Sequence, residues 1–226
     1  GYGNAILPAV LVLILQQTML LGIGMAAGTS RELNRNRELI PVSKLYGGIY
    51  RIVFGKALVY FMVYAVMGMY LTLVVPKLFG FVSMVTWTTI LGFLLPYILS
   101  CVFFGLMLSC LVRYRENVML LVVFTSVPLL FMTGVSWPLS NMPSFWQGFS
   151  WVFPSTFGIR GFLRISSMGA SLADILPEFR ALWIQTAVYF FATCLVFRQQ
   201  LRSTRLNAHL TAEEAEEEDE AETEHK

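Results

Sequence analysis

Few residues in this chain have the type and spacing to do chemistry. Arg160, Arg164, Asp174 and Glu178 fall within one short stretch and carry both signs of charge, the raw material for a polar site or for interfacial ion pairs. The histidines, His209 and His225, both lie in a C-terminal stretch dominated by Glu, so no serine–histidine pair is available for nucleophilic catalysis. Cys101, Cys110 and Cys194 all fall in apolar runs. Cys101 and Cys110 are nine residues apart, about 13 Å along a helix, too far for a disulfide within one helix. All three cysteines read as small apolar packing residues. The sequence has no HExxH, CxxC or paired-histidine metal motif, and no GxxxxGK(S/T) phosphate loop. It therefore offers no catalytic residue, no metal ligand set and no cofactor site of its own.

The elements that would have to position such groups are strongly apolar. Hydrophobic residues make up 56% of the chain and charged residues 13%, against about 25% charged in a soluble domain. The apolar runs cover residues 6–27, 53–75, 85–112, 118–137 and 181–197. A bilayer core of about 30 Å needs roughly 20 apolar residues of helix. These spacings predict an all-α, polytopic membrane helix bundle with five transmembrane helices. The interiors of the runs contain no Asp, Glu, His or Arg. Charges there are costly and mark ion or proton pathways, so the spans carry no obvious proton relay. Lys56, near the start of its span, can extend its stem and place the ammonium at the interface. The third run exceeds the required length and is expected to tilt or break near Pro96. Gln16, Gln17 and Thr18 sit near the middle of the first run, where they either line a path or hydrogen-bond between helices. Gly24 and Gly28 follow at the four-residue spacing that lets helices approach closely.

The connectors hold the charge. Residues 29–51 include Arg31, Glu32, Arg35, Arg37 and Glu38, then Pro41 and Lys44. Pro41 interrupts an amphipathic helical segment. Residues 138–176 are too apolar for a solvated loop and too broken by Pro138, Pro143 and Pro154 for a span. They read as short re-entrant or interfacial helices, with Trp137, Trp146 and Trp151 suited to an interface. Residues 1–205 thus form the transmembrane domain. Residues 206–226 are acidic and expected to be a disordered tail. Alternating the connectors places twelve of the sixteen Lys and Arg on one side, leaving Lys77, Arg160, Arg164 and Arg180 on the other. The positive-inside rule makes the first side cytoplasmic, with residues 29–51 and the C-terminus inside and residues 138–176 outside. A first residue on the outside suggests the C-terminal part of a longer protein, or a processed chain. No basic groove with interleaved aromatics occurs, so membrane lipid and not nucleic acid is the expected surroundings.

The order of these pieces resembles the permease subunit of type-2 ABC exporters, in its C-terminal five-span portion. The most characteristic run is residues 133–165, with Gly134, Trp137, Pro138, Met142, Pro143, Pro154, Thr156 and Arg164. Pro41-Val42-Ser43 followed by Gly55-Lys56 is similar to the family's loop leading into its next span. The family's Arg-Glu-x-Gly-Thr pattern is replaced here by Arg31-Glu32-Leu33-Asn34, with Gly28-Thr29 before it. The resemblance implies a non-enzymatic export permease in the inner (cytoplasmic) membrane that forms the translocation path with a second permease copy. It implies a separate ABC ATPase subunit that binds ATP and Mg, and admits a periplasmic adaptor. It places ATPase coupling on Arg31, Glu32, Arg35, Arg37, Glu38, Pro41 and Lys44. The outer gate falls on Gly134, Trp137, Pro138, Met142, Pro143, Pro154 and Arg164. The alternatives are an ion-coupled secondary transporter, or a membrane scaffold or enzyme using Arg160, Arg164, Asp174 and Glu178 on the outer face.

Overall fold

A computed structural model of the protein describes residues 3–32, 48–80, 86–112, 114–133 and 142–224. The described residues are helical, with no strand among them. The long helices are α1 (Gly3–Glu32), α2 (Ile49–Leu78), α3 (Trp87–Leu111) and α4 (Arg115–Met132). Two short helices follow, α5 (Ser144–Ser150) and α6 (Pro154–Met168), and α7 (Leu176–Glu224) closes the chain. Helices are the natural answer to these sequences, because within lipid every backbone polar group must find its partner inside the protein.

Four segments are long and apolar enough to cross a membrane: Ile6–Ser30, Ile49–Leu78, Trp87–Leu111 and Leu176–Ser203. The fourth expected span, residues 118–137, corresponds to α4, which has 18 residues, about 27 Å of helix. Residues 134–141, which include the rest of that run, lie outside the described residues. The last span begins earlier than residue 181, at Leu176, and runs to Ser203. The helix itself continues to Glu224, through the acidic stretch expected to be disordered. Ala and Glu are strong helix formers, and this stretch is rich in both.

α3 is the core helix, with 72% of its apolar window buried against 17% for α2. It is not broken at Pro96 but runs through it. Pro96 can give no amide hydrogen to the turn before it. Its own carbonyl accepts a hydrogen bond from Thr186 Oγ1 of α7 at 3.3 Å. In α2 the helix widens into a π turn at Tyr70–Val74, just before Pro76, which lacks an amide to continue the ladder.

Register follows from a few contacts. Tyr97 OH donates to Val12 O at 2.8 Å, and Cys101 Sγ lies 3.8 Å from Gln16 Oε1, both at a separation of 85 residues. One turn on, Gly105 faces Leu20 and Ile23. Equal steps of four on both helices make α1 and α3 parallel neighbours. Thr186 to Pro96 O and Thr193 to Phe103 O keep a separation of 90, so α7 is parallel to α3 as well. α4 runs antiparallel to α1, since Gly24 meets Val118 while Gln17 reaches Ser126.

α6 enters this bundle on a glycine face. The rings of Phe93 and Tyr97 stack with centroids 6.4 Å apart and planes 2° from parallel. Gly158 and Gly161, one turn apart on α6, lie directly over them. A Cβ at Gly158 would fall inside the Tyr97 ring, and one at Gly161 would meet Phe93. The helix ends at Gly169, in the left-handed region at φ 61°, where Ala170 N donates to Arg164 O at 3.2 Å. Gly158→Ala should therefore destabilise the folded chain by about 1–3 kcal/mol through overpacking. Gly148→Ala on α5, with nothing within 4 Å, should be neutral or slightly stabilising. Thermal unfolding in detergent compares the two, and equal melting temperatures would refute the close approach.

Candidate functional site

Gln16, Gln17 and Thr18 are consecutive, so successive side chains leave α1 about 100° apart and serve different neighbours. Gln17 Nε2 donates across to α4, to Ser126 Oγ at 2.9 Å and Val122 O at 3.3 Å. The Thr18 hydroxyl turns back to Ile14 O at 2.8 Å, while its carbonyl accepts from Tyr64 OH of α2 at 2.9 Å. Gln16 is fully buried, and its Oε1 accepts the backbone N–H of Ser155 at 2.7 Å. All three residues take part in hydrogen bonds across helix pairs, Gln16 and Gln17 through their side chains and Thr18 through its carbonyl.

The Gln16 contact defines an unusual site. α5 gives way to α6 through a turn at residues 151–153, and Pro154 opens α6. Proline suits that first position, because its missing amide would have no partner there anyway. The next amide, Ser155 N–H, is one of the orphan donors of a helix N-terminus. Gln16 caps it from a different helix. Its depth is notable. Gln16 lies ten residues into the 25-residue segment Ile6–Ser30, about 15 Å along some 37 Å of helix. The turn therefore reaches well inside the bundle.

Its remaining polar groups are answered from α7. Gln185 Nε2 donates to Trp151 O at 2.6 Å, and Tyr189 OH donates to Val152 O. Gln185 and Tyr189 are four residues apart, hence on one face of α7. Thr156 Oγ1 closes the turn on itself by donating to Ser150 O at 2.7 Å. Phe104 packs edge-on against Phe153 at 5.8 Å and lies 5.1 Å from the Tyr189 ring, which seals the turn from one side. Gln16 Nε2, Ser155 Oγ and Gln185 Oε1 are buried here without a protein partner. The site thus has hydrogen-bonding capacity but, among the described residues that form it, no carboxylate, imidazole, amine or guanidinium. Among the described residues no three His, Cys, Asp or Glu side chains come together as a metal site.

The charged stretch at the other end of α6 is engaged locally. Arg164 pairs with Glu178 at 3.2 Å. Burial lowers the Arg160 guanidinium from its usual value, opposed by Glu178 and reinforced by Arg164. Asp174 accepts from Ser171 N and Oγ at 2.8 Å each, which holds its carboxyl below the usual range. These bonds tie α6 and the following turn to the start of α7.

Of the other residues singled out, Pro143 is the N-cap of α5, and Met142 O accepts from Gln147 Nε2 at 3.1 Å. Pro154 is buried beneath the turn, and Arg164 is in the ion pair. These positions frame α5 and α6. Gly134, Trp137 and Pro138 lie outside the described residues. The backbone of α1 extends through Arg31 and Glu32, whereas Arg35, Arg37, Glu38, Pro41 and Lys44 lie outside the described residues. Sequence reasoning missed Gln185 and Tyr189. Their signal was present, as two hydrogen-bonding side chains four apart on an otherwise apolar span.

Gln16→Leu and Gln185→Leu should each destabilise the chain by about 1–3 kcal/mol, since each leaves a buried backbone group unpaired. Because both hold one turn, the double variant should depart from additivity by about 0.5 kcal/mol or more. Unfolding of the two single variants and the double variant measures this. Strict additivity would place them on independent contacts.

A family model described as ABC-2 family transporter protein matches residues 1–195. The chain is also similar to "Inner membrane transport permease YadH" of Escherichia coli (strain K12) and of Shigella flexneri. In both cases 29% of residues are identical over 114 residues, covering 49% of this chain and 44% of the relative. The matched stretch thus spans less than half the length of these curated relatives. No solved structure matches. The apolar helix bundle agrees with a family match over most of the chain: the protein belongs to the ABC-2 family of transporter proteins.

Proposed function

We propose that this chain is the membrane permease subunit of an ATP-powered exporter. It forms the translocation path with a second permease copy and is driven by a separate ABC ATPase subunit that binds ATP and Mg. The family match over residues 1–195 carries the reading. The charge-free span interiors support it, because a permease moved from outside needs no proton relay in its core. The named relatives are inner membrane transport permeases, which favours the same membrane here. In this orientation the C-terminus and residues 29–51 are cytoplasmic and α5–α6 lie towards the outer face.

The coupling element in this reading is the mixed-charge loop bearing Arg31, Glu32, Arg35, Arg37, Glu38, Pro41 and Lys44. Its physical advantage is direct continuity with α1. Rigid-body motion passed into a helix end can travel along the helix. α1 runs unbroken from Glu32 back to Gln16 and beyond. Sixteen residues separate these positions, about 24 Å of helix. The exposed apolar faces of α2, α4 and α7, including Met62, Phe124 and Phe191, leave ample surface for lipid and for a second copy.

Reversing charge at both Arg35 and Arg37 to Glu should leave membrane insertion intact. Transport should fall at least ten-fold, and ATP hydrolysis by the partner should stop responding to substrate. Reconstituted vesicles containing permease and ATPase measure both. Unchanged substrate-stimulated hydrolysis in the double variant contradicts the coupling role.

A further inference from the structure

The charges around α6 do not balance. Arg160 and Arg164 are four residues apart, on one helix face and about 6 Å apart along the axis. Among the described residues one carboxylate serves them. Glu178 turns both oxygens to Arg164 Nη1, at 3.2 and 3.5 Å. Its effect on Arg160 is attraction through space. Asp174, the other acid nearby in the chain, accepts from Ser171 N and Oγ. Residues 81–85, between α2 and α3, and 134–141, between α4 and α5, contain no Asp or Glu.

Arg160 is therefore a surplus cation. Among the described residues its side chain forms no hydrogen bond and no ion pair. Its Nε is buried without a partner, whereas the terminal nitrogens are not enclosed. Phe157 and Leu163, three residues before and after it, are half-buried and flank its stem. Phe157 packs against Trp151 at 6.2 Å, and Trp151 is 59% exposed. A guanidinium partly removed from water among apolar groups attracts an anion more strongly than a solvated one does. Glu178 is the third residue of the last apolar segment, Leu176–Ser203. The cluster thus stands at the boundary of the apolar bundle, where the hydrocarbon core gives way to headgroups.

We propose that Arg160, with Arg164 beside it, binds a phosphate group at this boundary. The planar fork of a guanidinium matches two phosphate oxygens at once. Arg164 gives Glu178 only Nη1, so its other nitrogens remain as donors. A phosphate has oxygens enough to bridge the two side chains. A lipid headgroup and a soluble phosphate share this chemistry. The site goes beyond the permease reading and needs only the membrane bundle.

The full chain, purified in mild nonionic detergent, is titrated with three probes. These are dioleoylphosphatidylglycerol, dioleoylglycerol (the same acyl chains without phosphate) and radiolabelled inorganic phosphate. Native mass spectrometry counts retained lipid, and equilibrium dialysis counts the bound ion. A phosphate-bearing probe should bind at one per chain, at least ten-fold more strongly than it binds Arg160→Gln. Arg160→Lys keeps the charge but loses the fork, and should recover only part of that binding. Arg198→Gln removes the same charge twenty residues beyond Glu178 on α7, about 30 Å away, and should change nothing. Leu163→Glu sets a carboxylate one turn from Arg160. It should block the probe with Arg160 intact, and it carries the test if Arg160→Gln does not fold. Arg160-dependent binding of the lipid alone supports the site and assigns it to a headgroup. Arg160-dependent binding of inorganic phosphate supports it and assigns it to a soluble phosphate. Equal retention of the two lipids with no bound phosphate ion overturns the proposal, as does phosphate binding that survives Arg160→Gln.

Discussion

The structure depends on satisfying one non-helical turn inside an apolar bundle. A helix within lipid keeps its backbone hydrogen bonds to itself, but a turn cannot. Residues 151–155 present two carbonyls and one amide that the helices on either side leave without a partner. Each unsatisfied group there would be destabilising by several kcal/mol. Three side chains from two long helices supply the missing bonds: Gln16 from α1, Gln185 and Tyr189 from α7. The polar residues of these spans are thus explained by the backbone geometry of α5 and α6. The glycine face of α6 completes the arrangement, since only small residues let it settle on the Phe93–Tyr97 ring stack.

The clamp also joins the two faces of the bundle mechanically. α1 holds the N-terminus of α6 through Gln16, lies in register with α3, and hydrogen-bonds to α2 and α4 through Thr18 and Gln17. α7 holds the same turn from the other side and lies in register with α3. In the proposed permease, a shift of the C-terminal end of α1 would reach the turn at residues 151–153 through one uninterrupted helix. Packed interfaces of this kind favour discrete rearrangement over gradual bending. A neutral amide suits such a joint, because it can release a helix N-terminus without leaving a buried charge behind.

Much of this was legible in the sequence for physical reasons. Runs of about 20 apolar residues have few alternatives to membrane helices. The proline-broken, aromatic stretch at residues 138–176 could be neither a solvated loop nor a span, and its described part forms α5 and α6. Pro96 misled, because a proline removes only one hydrogen bond from a helix, and the packing of the buried α3 against its neighbours outweighs that loss. The acidic C-terminal stretch misled in the opposite sense, since composition argued against burial but not against helix. The clamp itself was half visible. Gln16 stood out as polar in an apolar run, whereas its partner is a backbone amide, which no residue type announces. Gln185 and Tyr189 were hidden by the apolar residues around them.

The most direct measurement is amide hydrogen exchange across residues 150–156 in the lipid-embedded chain. The clamped Ser155 amide, at the buried end of the turn, should exchange as slowly as the core of α3, and Gln16→Leu should accelerate it selectively. Exchange of this amide within seconds in the unaltered chain, as in a solvated loop, would contradict the account.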